Sequence, residues 1–277
     1  MTLRALDSLT AQPSTPRLPA LFIGHGSPMN ALEDNRFTRH LGALGARLDG
    51  DLRPRAILVV SAHWLTRGTF VQAGARPETI HDFGGFPPAL FEMRYAAPGA
   101  PELARETAAL APGAATTEDW GLDHGAWTVL HHIFPQADIP VYQLSIDYGR
   151  SMQYHYELAA RLVSLREKGV LIVGSGNVVH NLPESFAAMS RDDSTPASWA
   201  VEFDEWVKSA LLARKDESLL RFETHPAARR AVPTPDHYIP LLYTLGVSKK
   251  DESVSFTHEE VYYGGLSMRS VAFGLPD

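Results

Sequence analysis

Three histidines follow short apolar runs, at positions where an imidazole could bind a metal or move a proton. The runs and their histidines are 18–24 with His25, 56–62 with His63, and 170–176 with His180. Short runs rich in β-branched residues are typical of strands buried on both faces of a sheet. Ligands of open α/β sheets bind beyond the carboxyl ends of the strands. The three histidines are therefore predicted to share one imidazole site.

A fourth histidine, His237, ends a proline-rich segment and opens an apolar helix predicted to run to Leu245. Like the first three, it has glycine, proline or a strand end nearby, where the backbone can turn an imidazole inward. Imidazole-rich sites suit zinc, iron, copper or nickel rather than magnesium or calcium. His25, His63, His180 and His237 together therefore predict a metal site. His124 stands at the mouth of another predicted helix, packed against Trp127 or available to a substrate.

The remaining histidines are interpreted as structural, because an isolated histidine on the surface needs no functional explanation. We expect these side chains to face solvent or to cap a backbone group: His40, His155, His225, His258 and one of His131 and His132. Motifs of other enzyme classes are absent from the sequence. It contains no His-Glu-x-x-His helix, no phosphate-binding Gly-x-x-x-x-Gly-Lys loop and no Gly-x-Ser-x-Gly turn around Ser27 or Ser175.

Strand-like and helical segments alternate along the chain, which predicts an α/β fold with a largely parallel or mixed central sheet and helices on both faces. Helices are expected at 31–48, 100–110, 124–132, 152–168 and 197–212, and further strands at 69–73, 141–146 and within 252–273. No repeat, linker or change of composition divides the sequence. We expect a loose N-terminal arm over residues 1–17 and a single catalytic domain over residues 18–277.

Composition limits the partners. The 277 residues carry a net charge of −7, which disfavours nucleic acid and anionic membranes. The absence of cysteine excludes disulfides and thiolate ligands, so imidazole and carboxylate remain as metal ligands. No apolar run approaches the ~20 residues that cross a bilayer, and the first residues lack the apolar core of a secretory signal. A cytoplasmic protein is expected, with its oligomeric state left open.

The segment from Ile80 to Phe91 combines glycine and proline pairs with three phenylalanines. The glycines and prolines disfavour regular structure, while the aromatic side chains need a surface to cover. Next to the sheet edge, such a loop could form the wall of a pocket for a flat apolar ligand. His81, Asp82, Phe83 and Phe86 are the candidates for this wall, and Trp64 is a candidate to stack near the ligand.

Six short motifs resemble those of the class III extradiol ring-cleavage dioxygenases, in particular the DOPA 4,5-dioxygenase-like branch. They are Gly24-His-Gly-Ser-Pro-Met, Ser61-Ala-His-Trp, His81-Asp-Phe-Gly-Gly-Phe-Pro, Leu122-Asp-His-Gly-Ala-Trp, Gly174-Ser-Gly-Asn-Val-Val-His-Asn and Thr234-Pro-Asp-His-Tyr. The motifs occur in order from about residue 20 to 270. The resemblance implies an enzyme that uses Fe(II) and O₂ to open the ring of a small aromatic diol, and in which Zn(II) can occupy the iron site.

Carried over motif by motif, the resemblance implies that His25, His63 and His237 are metal ligands. Asp236 is a neighbouring carboxylate that could compete for the third position. His180 is implied as the general base or as a fourth ligand, and His124 as a proton donor or a contact to a substrate hydroxyl. Three neutral ligands would leave the ion its full charge, which favours a negatively charged catecholate.

Two other functions remain open at this stage. A zinc-dependent hydrolase could use the same histidines to activate water, since zinc lowers the pKa of a bound water molecule. A metal-binding protein without catalytic activity would need only the ligands. The flat pocket expected from the aromatic loop favours the dioxygenase. No residue in the sequence names the catechol or the side of the diol at which the ring opens.

Overall fold

A six-stranded mixed sheet forms the centre of the fold in a computed structural model that describes residues 16–276. Its strands, in chain order, are β1 (Ala20–Gly24), β2 (Ala56–Ser61), β3 (Val141–Gln143), β4 (Val170–Gly176), β5 (Val254–His258) and β6 (Ser270–Phe273). Their spatial order is β3-β2-β4-β1-β6-β5. The first four strands in this order are parallel, whereas β6 and β5 pair antiparallel beyond β1. The predicted α/β fold with a mixed sheet is therefore confirmed.

Helices cover both faces of the sheet. They are α1 (Arg36–Arg47), α2 (Pro88–Glu92), α3 (Pro101–Leu110), α4 (His124–Ile133), α5 (Met152–Ala160), α6 (Val163–Glu167), α7 (Leu182–Met189), α8 (Ser198–Leu212), α9 (Asp216–Leu220), α10 (Ala228–Ala231) and α11 (Ile239–Gly246). Strand residues alternate between two buried clusters. Leu58 of β2 belongs to the cluster that contains α5, α8 and α11, whereas its neighbour Val59 belongs to the cluster with α1 and α4. Burial on both faces explains the continuous apolar runs of the sequence.

Several predicted elements are shorter or divided. The helix expected at 152–168 is interrupted at Arg161 and Leu162, whose N–H groups donate to carbonyls three residues back and so tighten the turn. The strand expected at 141–146 ends at Gln143. Three two-stranded sheets complete the fold; they pair Leu65–Thr66 with Ile146–Asp147, Phe70–Gln72 with Ala115–Thr117, and Val261–Tyr262 with Leu266–Ser267.

The predicted N-terminal arm lies outside the described residues except for Pro16 and Arg17. Arg17 is anchored to the domain, because its guanidinium donates to the carboxylates of Glu167, at 3.2 Å from Nε, and Glu252, at 3.3 Å from Nη1. Within residues 16–276, no helix has both the length and the apolar character needed to cross a membrane.

The parallel strands end level with one another. Gly24, the last residue of β1, is paired with Gly176 at the end of β4, and Ser61 of β2 is paired with Ser175. Since parallel strands point the same way, the residues that follow them emerge at one edge of the sheet. His25, His63 and His180 are therefore brought to the same edge.

Helix α11 packs unusually close to β4 because two glycines of the strand leave room for its backbone. A Cβ atom on Gly174 would lie 2.3 Å from the carbonyl oxygen of Pro240, and one on Gly176 would lie 2.2 Å from the carbonyl oxygen of His237. Glycine at these two positions permits a backbone contact that any side chain would prevent. The contact places His237 beside the end of β4.

Replacement of Gly174 by alanine is expected to lower the free energy of unfolding by about 1–3 kcal/mol, because the added methyl group would force α11 away from β4. Gly42 in α1 provides the control, since nothing lies within 4 Å of a Cβ atom built there. Gly42→Ala should raise the free energy of unfolding by about 0.5–1 kcal/mol, as expected for an exposed helical glycine. Denaturant titration measures both values, and equal effects of the two substitutions would contradict this account of the packing.

Candidate active site

Five histidines from distant parts of the chain lie side by side at the carboxyl edge of the parallel strands. The ring centroids of His25, His63 and His237 form a triangle with sides of 5.0, 5.0 and 5.3 Å. The ring of His124 lies 3.8 Å from that of His63, and His180 stacks on His237 at 3.5 Å with the ring planes 7° apart. The structure thus brings together the four histidines of the predicted cluster and His124.

Backbone hydrogen bonds fix the main-chain positions of three of these histidines. The N–H of His25 donates to the carbonyl of Gly176 at 3.0 Å, and the N–H of Asn177 donates to the carbonyl of His237 at 2.9 Å. The N–H of His180 donates to the carbonyl of Ala231 at 2.8 Å. Bonds between backbones of separate segments hold the imidazoles independently of any ligand, so the site is largely preformed.

The ring of His25 has a defined orientation. Its Nδ1 lies 3.0 Å from Oγ of Ser175, and that hydroxyl donates to the carbonyl of Gly125 at 2.5 Å. A hydroxyl has a single hydrogen to donate, so it must accept from Nδ1–H of His25. The lone pair of His25 is therefore on Nε2, which faces the centre of the cluster.

His237 and His63 follow the same pattern. The carboxylate of Asp236 is hydrogen-bonded to Nδ1 of His237, and Nδ1 of His63 lies 3.5 Å from the carboxylate of Asp82. Both rings can therefore present Nε2 to the centre. A hydrogen bond on the far nitrogen of a histidine is the usual way in which proteins orient a metal ligand.

Burial favours the uncharged form of four of these imidazoles. It lowers the pKa values of His25 and His237 well below the usual histidine value, with further lowering from the neighbouring histidines. Burial also lowers the pKa of His63 to about 3 and that of His180 to about 4, although nearby carboxylates partly oppose both shifts. The neutral imidazole is the form that binds a metal.

The arrangement of donors suits a cation. Nε2 of His63 lies 3.1 Å from Nε2 of His25. With both ring protons on Nδ1, two lone pairs face each other, and a cation between them would stabilise this arrangement. Two nitrogens that each lie about 2.0–2.1 Å from the same zinc ion are separated by a similar distance. The potential ligand atoms form two groups, and within each group all of them lie within 4.8 Å of one another. The groups are His25, His63 and His124, and His180, Asp236 and His237. The ring triangle combines members of both groups.

His124 is the first residue of α4 and is held by a carboxylate from the aromatic loop. Oδ1 of Asp82 accepts from the backbone N–H of His124 at 2.9 Å, and Oδ2 lies 3.0 Å from its Nδ1. Although burial alone would raise it, the pKa of Asp82 is lowered by its hydrogen bonds and by the nearby imidazoles. Its charged form is thus favoured.

Asp123 anchors the start of α4 and was not among the predicted site residues. Its carboxylate accepts from the hydroxyl of Ser61 at 2.6 Å, from Nε2 of Gln143 at 2.7 Å and from the N–H of Ala126 at 3.2 Å. Burial raises its pKa. The next glycine, Gly125, lies so close to β2 that a Cβ atom would be 2.4 Å from Oγ of Ser61. The Leu122-Asp-His-Gly motif was the only sequence signal for this anchor.

The aromatic loop lies against the histidines. The ring of Phe83 contacts those of His124 at 5.5 Å, Phe86 at 5.3 Å and His81 at 5.7 Å. Trp64, by contrast, is 4% exposed, and its ring stacks on that of Trp120 with the planes 2° apart. Of the predicted wall, Asp82 and Phe83 contact the histidines, and His81 and Phe86 contact Phe83. Trp64 has a protein ring as its stacking partner.

The interpretation of two other histidines as solvent-facing was wrong. His155 is completely buried, and its Nδ1 lies 3.1 Å from the hydroxyl of Tyr243. His258 is 6% exposed, with Nε2 3.1 Å from a carboxylate oxygen of Glu260. Each is buried because a polar partner from the fold takes the place of water, which a sequence pattern does not reveal. Of the adjacent pair, His132 caps the carbonyl of Asn30 at 2.8 Å.

Known proteins with similar sequences are ring-opening dioxygenases. The family described as "Catalytic LigB subunit of aromatic ring-opening dioxygenase" matches residues 19–274. A protein of Escherichia coli K12 named "4,5-DOPA dioxygenase extradiol" is 47% identical, over 94% of this chain and 96% of its own length. A protein of the same name from Beta vulgaris is 36% identical, over 91% and 95% of the two chains.

A solved structure has the same fold. The crystal structure of an uncharacterized protein from Escherichia coli K12 superposes with a TM-score of 0.80 and 43% identity, and the match covers 93% of this chain and all of that one. The family match over nearly the whole chain confirms the resemblance recognised in the six motifs. The chain belongs to the LigB family of aromatic ring-opening dioxygenases.

Proposed function

We propose that His25, His63 and His237 hold a single Fe(II) ion in this chain, an extradiol dioxygenase that cleaves the ring of a catechol with O₂. Members of the family depend on a metal. The choice of these three ligands rests on the family motifs. One observation of the structure supports it: each of the three rings has an acceptor beside Nδ1, so that Nε2 is left for an ion. We further propose that residues 18–277 form one catalytic domain.

The ligand set determines which form of the substrate is favoured. Three neutral imidazoles cancel none of the charge of a divalent ion, so a catechol that has lost one or two protons would bind well. When bound, the metal supplies a Lewis acid for the catechol oxygens and a redox centre for O₂. The remaining residues have to bind the ring, exclude water and move protons.

His180 is proposed as the general base for the catechol hydroxyl. It stacks on His237, one of the proposed ligands, and it is partly exposed, so it borders the position of a bound diol. Its pKa, lowered to about 4 by burial, leaves it neutral and able to accept a proton. The alternative is a fourth ligand, because Asp236 and His237 offer atoms within 4.8 Å of it.

His124 is proposed to exchange a proton through Nε2, since Nδ1 is engaged by Asp82. Its ring lies at 3.8 Å from His63 and 5.5 Å from Phe83, between the proposed ligands and the aromatic loop. A substrate ring held by the loop would bring its hydroxyl groups towards this histidine. This position suits a donor to the opening ring or a contact to a substrate hydroxyl.

The substrate class is proposed to be small catechols, DOPA among them. The wall of His81, Phe83 and Phe86 offers aromatic rings to one face of a flat substrate. Relatives that match over nearly the full chain are named for 4,5-DOPA. A zinc-dependent hydrolase, the alternative from the sequence, is not favoured by these relatives.

Two variants should differ in whether they lose metal binding together with turnover or lose turnover alone. His63→Ala is expected to abolish both, because it removes a ligand. His180→Ala should keep the iron and lose at least about 10²-fold in kcat, as expected for loss of a general base. Metal content by atomic spectroscopy and O₂ uptake measure the two effects. His131→Ala, which alters a histidine outside the cluster, is the control, and retention of full turnover by both test variants would refute the site.

The identity of the metal can be tested by reconstitution. Protein stripped of metal and reloaded without oxygen should take up O₂ with DOPA or catechol after Fe(II) addition, and release a yellow ring-opened product. Zn(II) should bind and give no uptake, because it has no redox chemistry. Oxygen electrode and visible spectrum record the result. Equal turnover with Zn(II), or turnover of esters in place of catechols, would favour the hydrolase.

Stability of the metal-free protein should depend on pH in a defined direction. Buried His180 has a pKa of about 4, whereas a histidine in the unfolded chain has one of about 6.5. Below that value the unfolded state binds a proton that the folded state does not, so the free energy of unfolding falls as pH falls. His180→Gln should reduce this slope between pH 6 and 5 by up to about 1.4 kcal/mol per pH unit. Unfolding in EDTA measures it, and identical slopes would mean that His180 is charged in the fold.

A further inference from the structure

Asp82 joins the aromatic loop to the start of α4. Both of its carboxylate oxygens are used: one accepts from the backbone N–H of His124 at 2.9 Å, and the other lies 3.0 Å from Nδ1 of the same residue. The side chain is 16% exposed, so its carboxylate is directed inward although it belongs to a surface loop. A single residue therefore makes two polar contacts with one proposed catalytic histidine.

The rest of the loop has a different kind of attachment. Its base is fixed by backbone bonds, in which Ile80 donates to Leu122 and Leu122 donates to Glu78, each at 2.7 Å. Its tip contains Gly84 and Gly85, which are exposed, and Gly85 has a φ of +80°. At the same base, the carbonyl of Ile80 accepts from Nε1 of Trp127 in α4 at 2.9 Å. Beyond Asp82, the ring of Phe83 contacts that of His124, and Phe86 packs on Phe83. These apolar contacts are not directional, so Asp82 provides the specific connection between the loop and His124.

Capping of α4 does not require Asp82. Asp123 is the N-cap residue of the helix, and its carboxylate already accepts from the N–H of Ala126. A helix start is also stable without a second acidic side chain. What Asp82 adds is the bond to the imidazole, which fixes a proton on Nδ1 of His124 and leaves the lone pair on Nε2.

We propose that Asp82 is a positioning residue, which fastens the aromatic loop to His124 and at the same time sets the tautomer of that histidine. The wall for the substrate ring and the proton-exchanging Nε2 are then assembled by one interaction. Without the carboxylate of Asp82, the ring of His124 would lose the acceptor that sets its orientation. This inference rests on the proposed function, in which His124 exchanges a proton with the substrate.

The Asp82→Asn substitution distinguishes a positioning role of Asp82 from simple capping of α4. The N–H and Nδ1 of His124 contact different oxygens of the carboxylate. In asparagine, one of these two positions is taken by the NH₂ group, which can only donate. With the oxygen on the backbone N–H, the NH₂ group faces Nδ1 and moves the ring proton to Nε2. Asparagine caps helices as well as aspartate does, so a purely structural role would leave Asp82→Asn like the wild type.

The test uses the zinc-loaded protein, with nitrogen-15 histidine NMR to report the tautomer of His124. Wild type should carry the His124 proton on Nδ1, and Asp82→Asn should carry it on Nε2. Zinc content is measured in both proteins, because Asp82 also lies 3.5 Å from Nδ1 of the proposed ligand His63; loss of zinc in Asp82→Asn would mean that Asp82 acts through the metal ligand rather than through His124. Asp82→Ala should increase hydrogen exchange of Ile80 and Leu90, the amides of the loop that donate backbone hydrogen bonds. In the iron-loaded protein, Asp82→Asn should lower kcat by at least about tenfold, with a smaller change in KM. Asp119→Asn, an exposed aspartate near the same loop, is the control for all measurements.

Each outcome bears on the proposal. A His124 proton that stays on Nδ1 in Asp82→Asn, or loop exchange in Asp82→Ala equal to that of the wild type, would overturn it. If the wild-type protein itself cleaves no catechol, the proposed function fails, yet the NMR and exchange results still decide whether Asp82 positions His124 and the loop.

Discussion

The site depends on burying several imidazoles without charge and with their lone pairs turned inward. Burial removes the protonated form, as the lowered pKa values of His25, His63 and His237 indicate. Burial alone does not choose which nitrogen carries the proton. That choice is made by acceptors behind the rings, namely a serine hydroxyl for one ring and carboxylates for others. The arrangement holds the facing Nε2 atoms of His25 and His63 close together, where a cation could bind to both.

The central sheet determines where the backbones of these histidines lie. Because β1, β4 and β2 are parallel and in register, Gly24, Gly176 and Ser61 end at one level. Residues one to four positions later reach the same small volume. Glycines at 174 and 176 then let α11 approach, and His237 comes from a segment with no strand of its own. The buried framework of strands thus carries the geometry, while the substrate side is formed by a loop.

Much of this could be predicted from the sequence, for a physical reason. Apolar runs identify buried strands, and a histidine directly after such a run has a definite place at the sheet edge. The fold class and the grouping of His25, His63 and His180 followed from that. The acceptors behind the rings did not, since Ser175 and Asp123 acquire their roles only through partners far along the chain. Burial of His155 was missed for the same reason: its partner, Tyr243, is 88 residues away.

The start of α4 shows why the sequence is so restricted there. Three consecutive residues each contact a different part of the site. Asp123 accepts from β2 and β3, His124 lies beside His63, and Gly125 both accepts from Ser175 and approaches β2 too closely for any side chain. A shift of this helix would therefore disturb the support of His25 and the position of His124 together. The same helix start receives the carboxylate of the aromatic loop. The proposed substrate wall is therefore fixed relative to the proposed metal ligands through one helix.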